Sequence, residues 1–231
     1  MEFGYPALRS SLTQNNREKQ NTLKTRVEGN MGNPQVLFRP NPTLQAPPNT
    51  VYVSFSAEIV PHTTESLIAT VTNLTNQGVK QIYLMLSTPG GSVMHGMNIY
   101  NVLRALPVEL ITHNVGNVDS IGNAVFLAGA KRYACPHSTF MFHGVGFDVP
   151  QQMRIEEKFL RERLDGITSD QKRIGSVIED RTSITKEDIA KLFLEAQTKD
   201  ATFAAGCGIV DEVRDVQIPP GSSIVSLVFQ R

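Results

Sequence analysis

The sequence predicts an α/β protein in which the strands of a parallel sheet alternate with helices. Short runs rich in β-branched and aromatic residues, typical of strands, are followed by segments with apolar residues at helical spacing. The run QIYLMLS at 81–87 is apolar on both sides, as in strands that are covered on both faces. Strands that alternate with helices in this way indicate βαβ units with right-handed crossovers.

The segment from Val51 onwards supplies these elements in order. We expect strands at 51–60, 81–87 and 108–115, and two shorter ones in KRYACP and STFMFH. We expect helices that start at Thr63 or Thr64, that span 92–105, and that span 120–130. The first 49 residues are polar and lack apolar periodicity, so we expect a flexible N-terminal extension that ends near Pro47 and Pro48.

A long helix is predicted after these strands. Apolar residues recur there at steps of three, four and seven: Ile155, Phe159, Leu160, Leu164, Ile167, Ile174 and Ile178. A helix of about 30 residues is about 45 Å long and extends beyond a domain of this size. Its apolar stripe needs a partner, which favours self-association, although Gly166 and Gly175 leave a kinked or two-part helix open.

Composition excludes several classes of function. Lys plus Arg (22) equals Asp plus Glu (22), which argues against nucleic-acid binding and attraction to an anionic membrane. No apolar run is long enough to span a bilayer, and the N-terminus lacks the apolar core of a signal peptide. Two cysteines without a CxxC pair predict no metal site and suit a reducing cytoplasm. Without GxGxxG or GK[ST] motifs we expect no nucleotide cofactor.

Three motifs are candidates for chemistry, and the first is the loop 87–92, STPGGS, directly after the strand 81–87. Its glycine pair allows backbone N–H groups to face an anion where a Cβ would interfere, although an ordinary strand-to-helix turn has the same composition. The second motif is GNVDSIG at 116–122. Small residues around Ser120 allow the tight elbow that exposes a nucleophile at a helix N-terminus, and the alternative is a plain N-cap.

The third motif is STFMFHG, in which His143 follows a strand that is apolar on both sides. A serine hydroxyl needs an adjacent base to become a nucleophile, so Ser120 and His143 carry chemistry only together. The remaining histidines are assigned to surface or packing roles: His62, His95, His113 and His137.

Taken in this order, the three motifs resemble the proteolytic subunit of the Clp protease, the ClpP-like serine peptidases. The matching stretches are LSTPGGSV (86–93), GNVDSIG (116–122), FLAGAKRYACP (126–136), TFMFH (139–143) and GIVDEV (208–213). The resemblance covers about 51–216 and implies a ClpP/crotonase-like fold of repeated ββα units in a domain spanning 50–231, with the long helix as a protruding handle where two heptameric rings meet.

The resemblance also implies roles for single residues. Ser120 matches the family's nucleophile and His143 its general base, while the backbone N–H groups of Gly91 and Ile121 match the oxyanion donors. The implied activity is an ATP-dependent serine endopeptidase in which a separate unfoldase hydrolyses ATP. Residues 1–49 then correspond to the family's propeptide or to its unfoldase-binding region.

Two positions depart from the family pattern. The acid that orients the histidine lies before GIVDEV, and counting back without gaps places it on Leu192, which cannot accept a hydrogen bond. Glu195 or Asp188, one turn away on the same helix face, are possible substitutes. Asp119 stands where the family has a small residue, and an ionised carboxylate there would oppose an oxyanion unless it is paired or turned away.

These departures leave alternatives to a peptidase. A catalytically impaired subunit that completes mixed rings fits Leu192 and Asp119, whereas the retained Ser120, His143 and Gly91 oppose it. A crotonase-like acyl-CoA enzyme would share the fold, but such enzymes use a carboxylate base and need no serine–histidine pair.

Overall fold

The computed structural model describes residues 50–149 and 154–229, and it confirms the α/β prediction. The predicted extension at 1–49 lies outside the described residues. The strands are β1 (Thr50–Ser56), β2 (Gln81–Thr88), β3 (Glu109–Asp119), β4 (Lys131–Ala134), β5 (Thr139–Met141), β6 (Thr198–Asp200), β7 (Glu212–Val213) and β8 (Ser223–Leu227). The helices are α1 (Pro61–Asn76), α2 (Val93–Ala105), α3 (Gly122–Phe126), α4 (Glu157–Arg181), α5 (Lys186–Glu195) and α6 (Ala201–Gly206).

The strands of the described residues form one sheet with the order β6-β5-β3-β2-β1-β8, and β4 and β7 branch from β3. All pairs are parallel except β5 with β6, which is antiparallel. The parallel strands β1, β2 and β3 therefore point their carboxyl ends to the same edge of the sheet. Loops that follow such strands meet at that edge, which is where open α/β sheets hold their sites.

The two faces of the sheet carry different residues. Along β1, Val51, Val53 and Phe55 belong to the main apolar core, while Tyr52 between them belongs to a second cluster. This alternation places the two clusters on opposite faces. The second cluster also contains Tyr83 and Ile111, and the partly buried Tyr133 packs against it.

Three elements differ from the sequence prediction. Helix α1 begins at Pro61, and Thr63 lies in its first turn, where its Oγ1 accepts a hydrogen bond from the Val60 N–H. Proline suits the first helical position because no N–H partner is needed there. Strand β3 extends to Asp119, and α3 spans five residues instead of the predicted eleven. The elbow therefore follows directly on a long strand.

Helix α4 confirms a long helix in this region and is continuous through Gly166 and Gly175. It has 25 residues, which corresponds to about 37 Å. Ile174, Val177 and Ile178 in its second half are buried in the main core, whereas Leu160 and Leu164 in its first half are 51% and 62% exposed. Within 50–149 and 154–229, no helix has the length and apolar content that crossing a membrane requires.

Candidate active site

Ser120 lies in a strained elbow between β3 and α3. Its φ of 56° is in the left-handed region, which is uncommon for a residue other than glycine and has to be imposed by its surroundings. The Ser120 N–H donates to the Met141 carbonyl (2.9 Å), and its own carbonyl accepts from the Asn123 N–H (3.1 Å). These bonds hold the serine at the start of a short buried helix, as expected of a nucleophile elbow rather than of an ordinary N-cap.

The glycine loop lies against this elbow. A methyl group on Gly90 would be 2.7 Å from the Ser120 Cβ and 3.4 Å from its Oγ, so only glycine permits this approach. Gly91 is held by a short parallel bridge to Ile59, and a methyl group there would be 2.3 Å from the Ile59 carbonyl oxygen. Both glycines have positive φ, 87° and 142°. The first and second sequence motifs therefore converge on the Ser120 hydroxyl.

Two backbone N–H groups beside Ser120 have no hydrogen-bond acceptor among the described residues. In the described part of the chain, neither the Gly91 nor the Ile121 N–H donates to another group, although their neighbours do: Ser92 N–H donates to Ile59 (2.9 Å) and Asn123 N–H to Ser120. Ile121 directly follows Ser120, and Gly91 belongs to the loop that touches Ser120. Unpaired donors beside a nucleophile are what an oxyanion hole requires.

Strand β5 brings His143 to the elbow. Asp119 pairs with Met141 in the parallel register between β3 and β5, so the chain reaches His143 two residues beyond the carbonyl that accepts the Ser120 N–H. Among the described residues, the His143 ring and the Ser120 hydroxyl have no hydrogen-bond partner, either with one another or elsewhere. Such contacts often tighten only when substrate binds. The pairing of β3 with β5 therefore brings the segment that leads to His143 alongside the Ser120 elbow.

The position opposite His143 holds no carboxylate. Strand β6 pairs with β5 through Met141 and Thr198, and the Phe142 N–H donates to the Gln197 carbonyl (2.9 Å). Continued past its last pair, this antiparallel register aligns Ala196 with His143, and the chain then leaves the register, since the Gly144 N–H donates to the Phe193 carbonyl. Leu192, the position obtained by counting without gaps, is 6% exposed and packs in the main core instead. By this alignment Ala196, and not Leu192, is the position to compare with the family's acid.

The two candidate substitutes lie at opposite ends of α5. Glu195 directly precedes Ala196, and its carboxylate accepts a hydrogen bond from the Gln197 side chain and lies 4.0 Å from Lys191 Nζ. Asp188 is in the first turn, where its N–H and carboxylate both bond to the Thr185 hydroxyl (3.1 and 2.9 Å). Since Gly144 N–H bonds to the Phe193 carbonyl (3.0 Å), the chain around His143 meets the end of α5 that carries Glu195.

Asp119 is paired within its own strand. Its Oδ2 accepts a hydrogen bond of 2.5 Å from Asn117 Nδ2, and Asn117 Oδ1 in turn accepts from the Ser87 hydroxyl (3.0 Å). The same amide group donates to the Thr88 carbonyl (3.2 Å). This network ties the start of the glycine loop to the strand that ends at Ser120. It supplies the partner that a carboxylate beside an oxyanion site needs.

A cleft of about 700 Å³ opens beside His143, between α4 and α5. Gly144 lies at one end of it, and apolar side chains of Ile189, Phe193 and Leu194 contribute to its lining. A cleft of this size accommodates several side chains of an extended peptide. Gly144, which follows His143 in the chain, is the lining residue that connects this cleft with the candidate site.

Residues outside the elbow have structural surroundings. His113 is fully buried, and its ring bonds to the Tyr83 hydroxyl (2.6 Å) and the Arg214 carbonyl (3.0 Å). Burial, with the nearby Arg214 charge, lowers the pKa of His113 to about 4. Burial raises the pKa of both free thiols, Cys135 and Cys207. In the part of the chain that the structure describes, no three His, Cys, Asp or Glu side chains come together as metal ligands.

Two positions at the site were not predicted. Ala196 was missed because the count back from Asp211 selected Leu192, whereas the alignment with His143 follows from the pairing of β5 with β6. Asn123 was missed because α3 otherwise consists of small and apolar residues. Its Nδ2 donates to the carbonyls of both Ser120 and Met141. The only available signal was a polar residue three positions after Ser120, in a segment expected to be buried.

Comparison with known proteins adds the family. The Clp protease family model matches residues 48–217, which is more than half of the chain. Among solved structures, a variant of ClpP1 from Listeria monocytogenes superposes with a TM-score of 0.64 at 21% sequence identity, covering 72% of this chain and 92% of that chain. At this identity the superposition shows a shared fold. From the family match, together with the elbow, the glycine loop and the histidine strand, the chain belongs to the Clp protease family.

Proposed function

We propose that this chain is the peptidase subunit of a Clp-type serine endopeptidase, with Ser120 as nucleophile and His143 as general base. The observation that carries the proposal is the left-handed Ser120 elbow, bonded through its N–H to the strand that leads to His143. Membership of the Clp protease family supports peptide hydrolysis over the acyl-CoA chemistry of the crotonase alternative. The open N–H groups of Gly91 and Ile121 supply the oxyanion donors.

The reaction follows from these positions. His143 takes the proton of the Ser120 hydroxyl as Oγ attacks a peptide carbonyl carbon, and the carbonyl oxygen becomes an oxyanion bound by the two open N–H groups. Collapse of the tetrahedral intermediate breaks the C–N bond, and His143 returns the proton to the leaving amine. Water, activated by His143, then hydrolyses the acyl-enzyme and regenerates Ser120.

For the third member of the triad we propose Glu195, with Asp188 as the second candidate. Glu195 lies next to the position opposite His143, whereas the Asp188 carboxylate is bonded to Thr185 at the far end of α5. An exposed carboxylate shared with Gln197 and Lys191 orients a histidine less well than a buried one. We therefore expect the activity to be low for a serine peptidase.

We also propose that the chain self-associates into rings, and that α4 is the handle between two rings. Ile155, Leu160 and Leu164 expose apolar side chains along and just before the first half of α4. Leu164→Glu should then disperse the assembly, whereas Glu162→Lys, on the same exposed stretch, should not. Sedimentation velocity of both variants tests this, and an unchanged assembly of Leu164→Glu contradicts it.

The partner and the location complete the proposal. The sequence contains no nucleotide-binding loop, so ATP hydrolysis would have to come from a separate unfoldase. This unfoldase would deliver folded proteins, whereas short peptides would enter unaided. Residues 1–49 would serve as a propeptide or as part of the unfoldase contact. We propose a cytoplasmic location, which agrees with two free cysteines that are not paired with one another.

The first experiment is reaction of the purified chain with a fluorophosphonate probe, followed by intact mass. We expect one label on the parent and none on Ser120→Ala. Ser138→Ala is the matched control, because Ser138 is a buried serine near β5 whose hydroxyl bonds to the Cys135 carbonyl. Failure of the assembled parent to take the label would contradict the peptidase proposal.

The second candidate function is a catalytically impaired subunit that completes mixed rings. It is favoured by Ala196, because the β5–β6 register continued to His143 aligns that histidine with a residue that has no carboxylate. An unlabelled parent that still assembles, alone or with an active relative, is the result expected for this alternative.

A further inference from the structure

Asn123 makes two side-chain hydrogen bonds that meet at the elbow. It is 2% exposed, and its Nδ2 donates to the Ser120 carbonyl (3.0 Å) and to the Met141 carbonyl (2.9 Å). Two acceptors on one nitrogen identify that atom as the amide NH₂ group. The side chain therefore connects the residue at the nucleophile position with the strand that leads to His143.

The Ser120 carbonyl belongs to the same peptide group as the Ile121 N–H. A peptide group is planar and trans, so its C=O and N–H point in opposite directions and move together. Any bond that fixes the Ser120 oxygen also fixes the direction of the Ile121 N–H, which is open at the nucleophile. Donation to the carbonyl further polarises the peptide and strengthens its N–H as a donor.

The Met141 carbonyl takes part in the same arrangement. It accepts both the Ser120 N–H and Asn123 Nδ2, so the peptide before Ser120 is bonded to β5 directly and the peptide after it is linked to β5 through the Asn123 side chain. The left-handed backbone of Ser120 is held from both sides in this way. A rotation of the Ser120–Ile121 peptide would break both bonds that its carbonyl accepts from Asn123, one from Nδ2 and one from the backbone N–H.

Packing alone does not account for an asparagine here. Among the described residues its Oδ1 has no hydrogen-bond partner, and a buried acceptor without a partner is unfavourable. Asn114 on β3 provides a contrast: it is equally buried and also bonds to β5, through Thr139, but its oxygen accepts the Gly116 N–H (3.1 Å). Both groups of the Asn114 amide are used, whereas only the donor of Asn123 is used.

We propose that Asn123 is a positioning residue that orients the Ser120–Ile121 peptide, and with it the Ile121 N–H, toward the oxyanion. This inference rests on the proposed peptidase function. It assigns Asn123 an effect on the transition state, where the oxyanion forms, and none on ground-state binding of the substrate.

The test compares Asn123→Asp with Asn123→Ala by the kinetics of fluorophosphonate labelling, separated into a maximal rate and a half-saturating concentration. We expect Asn123→Ala to lower the maximal rate about 10- to 100-fold, as a misaligned catalytic group does, with half-saturation unchanged. Asn123→Asp preserves the shape but presents oxygen to two carbonyls, so it should be at least as slow. If Asn123 served packing alone, Asn123→Asp, which keeps the shape of the side chain, should label faster than Asn123→Ala. Asn114→Ala is the matched control and should label at the parent's rate.

The outcomes separate this inference from the proposed function. No labelling of the assembled parent contradicts both. Labelling of the parent together with an unchanged maximal rate in Asn123→Asp overturns the role of Asn123 alone, as does a change confined to half-saturation. If Asn123→Asp does not fold, the rate of Asn123→Ala on the folded fraction from gel filtration decides: a parent-like rate overturns the inference.

Discussion

The serine half and the histidine half of the site are built differently. Around Ser120, the Asn117 network and Asn123 bond within β2, β3, α3 and the adjacent β5, and the glycine loop bonds to Ile59. Around His143, only backbone bonds hold the chain, from Phe142 to Gln197 and from Gly144 to Phe193. No described side chain bonds to the His143 ring, and the β5–β6 register continued past its last pair aligns Ala196 with it.

This difference indicates which half of the candidate site should limit the rate of a reaction there. The serine half is assembled by neighbouring parallel strands and the turns between them, so a single chain is sufficient to build it. The histidine half depends on α4 and α5, which come later in the chain and expose apolar surface. We therefore expect the base, and not the nucleophile or the oxyanion donors, to limit activity.

The largest expected effect tests whether the histidine half works at all. His143→Ala should lower the rate of Ser120 labelling about 10²- to 10⁴-fold, because a general base contributes that much to the attack. His137→Ala, an exposed histidine before β5, is the control and should leave the rate unchanged. Equal rates for His143→Ala and the parent would show that another group activates Ser120.

Adding a carboxylate at position 196 tests whether the histidine half limits activity. Ala196→Asp should raise kcat/KM on a fluorogenic peptide by about 10²-fold, within the roughly 10⁴-fold that the acid of a triad provides. Ala196 has φ 49°, a conformation that aspartate and asparagine adopt more readily than alanine, so the fold should tolerate the change. Ala196→Asn has the same shape without the charge and should bring no gain; an equal gain from both would exclude an orienting carboxylate.

A smaller effect distinguishes the two candidate acids. Glu195→Gln should lower kcat/KM by about tenfold or less, because an exposed carboxylate interacts weakly. Asp188→Asn should change kcat/KM less than about twofold but reduce stability by about 0.5–1 kcal/mol, since Asp188 interacts with the N-terminus of α5. Peptide hydrolysis and thermal unfolding measure both. A larger loss of activity in Asp188→Asn would reverse the assignment.

The last prediction concerns the stability of the fold at acid pH, which depends on the buried His113 and not on the candidate site. Its pKa is about 4 in the folded chain and about 6.5 when unfolded, so below pH 6.5 the unfolded chain binds a proton that the folded chain does not. Stability is therefore full above pH 6.5 and falls by up to about 3 kcal/mol as the pH drops to 4. His113→Gln should unfold with a weaker pH dependence in thermal melts between pH 7 and 4.5. An unchanged dependence would mean that other groups cause the acid loss.

The sequence alone predicted those features that depend on local pattern. Periodicity identified the strands β2 and β3, the helix α2 and the long helix α4, because each buries one face or both. The glycine pair and the small residues around Ser120 predicted a tight approach of the backbone, and Gly90 does lie against Ser120; the catalytic roles of Ser120 and His143 stay predictions. Their order along the chain predicted the family that the Clp protease match confirms.

Only the tertiary structure decided the features that depend on register between distant segments. Which residue faces His143 follows from the antiparallel pairing of β5 with β6, more than fifty residues apart in the sequence, and a count without gaps selected Leu192 instead. The pairing of Asp119 with Asn117, and the contact of Asn123 with both Ser120 and Met141, likewise appear only when the strands are side by side. The physical reason is that hydrogen-bond partners across a sheet are set by strand register, which local sequence patterns do not encode.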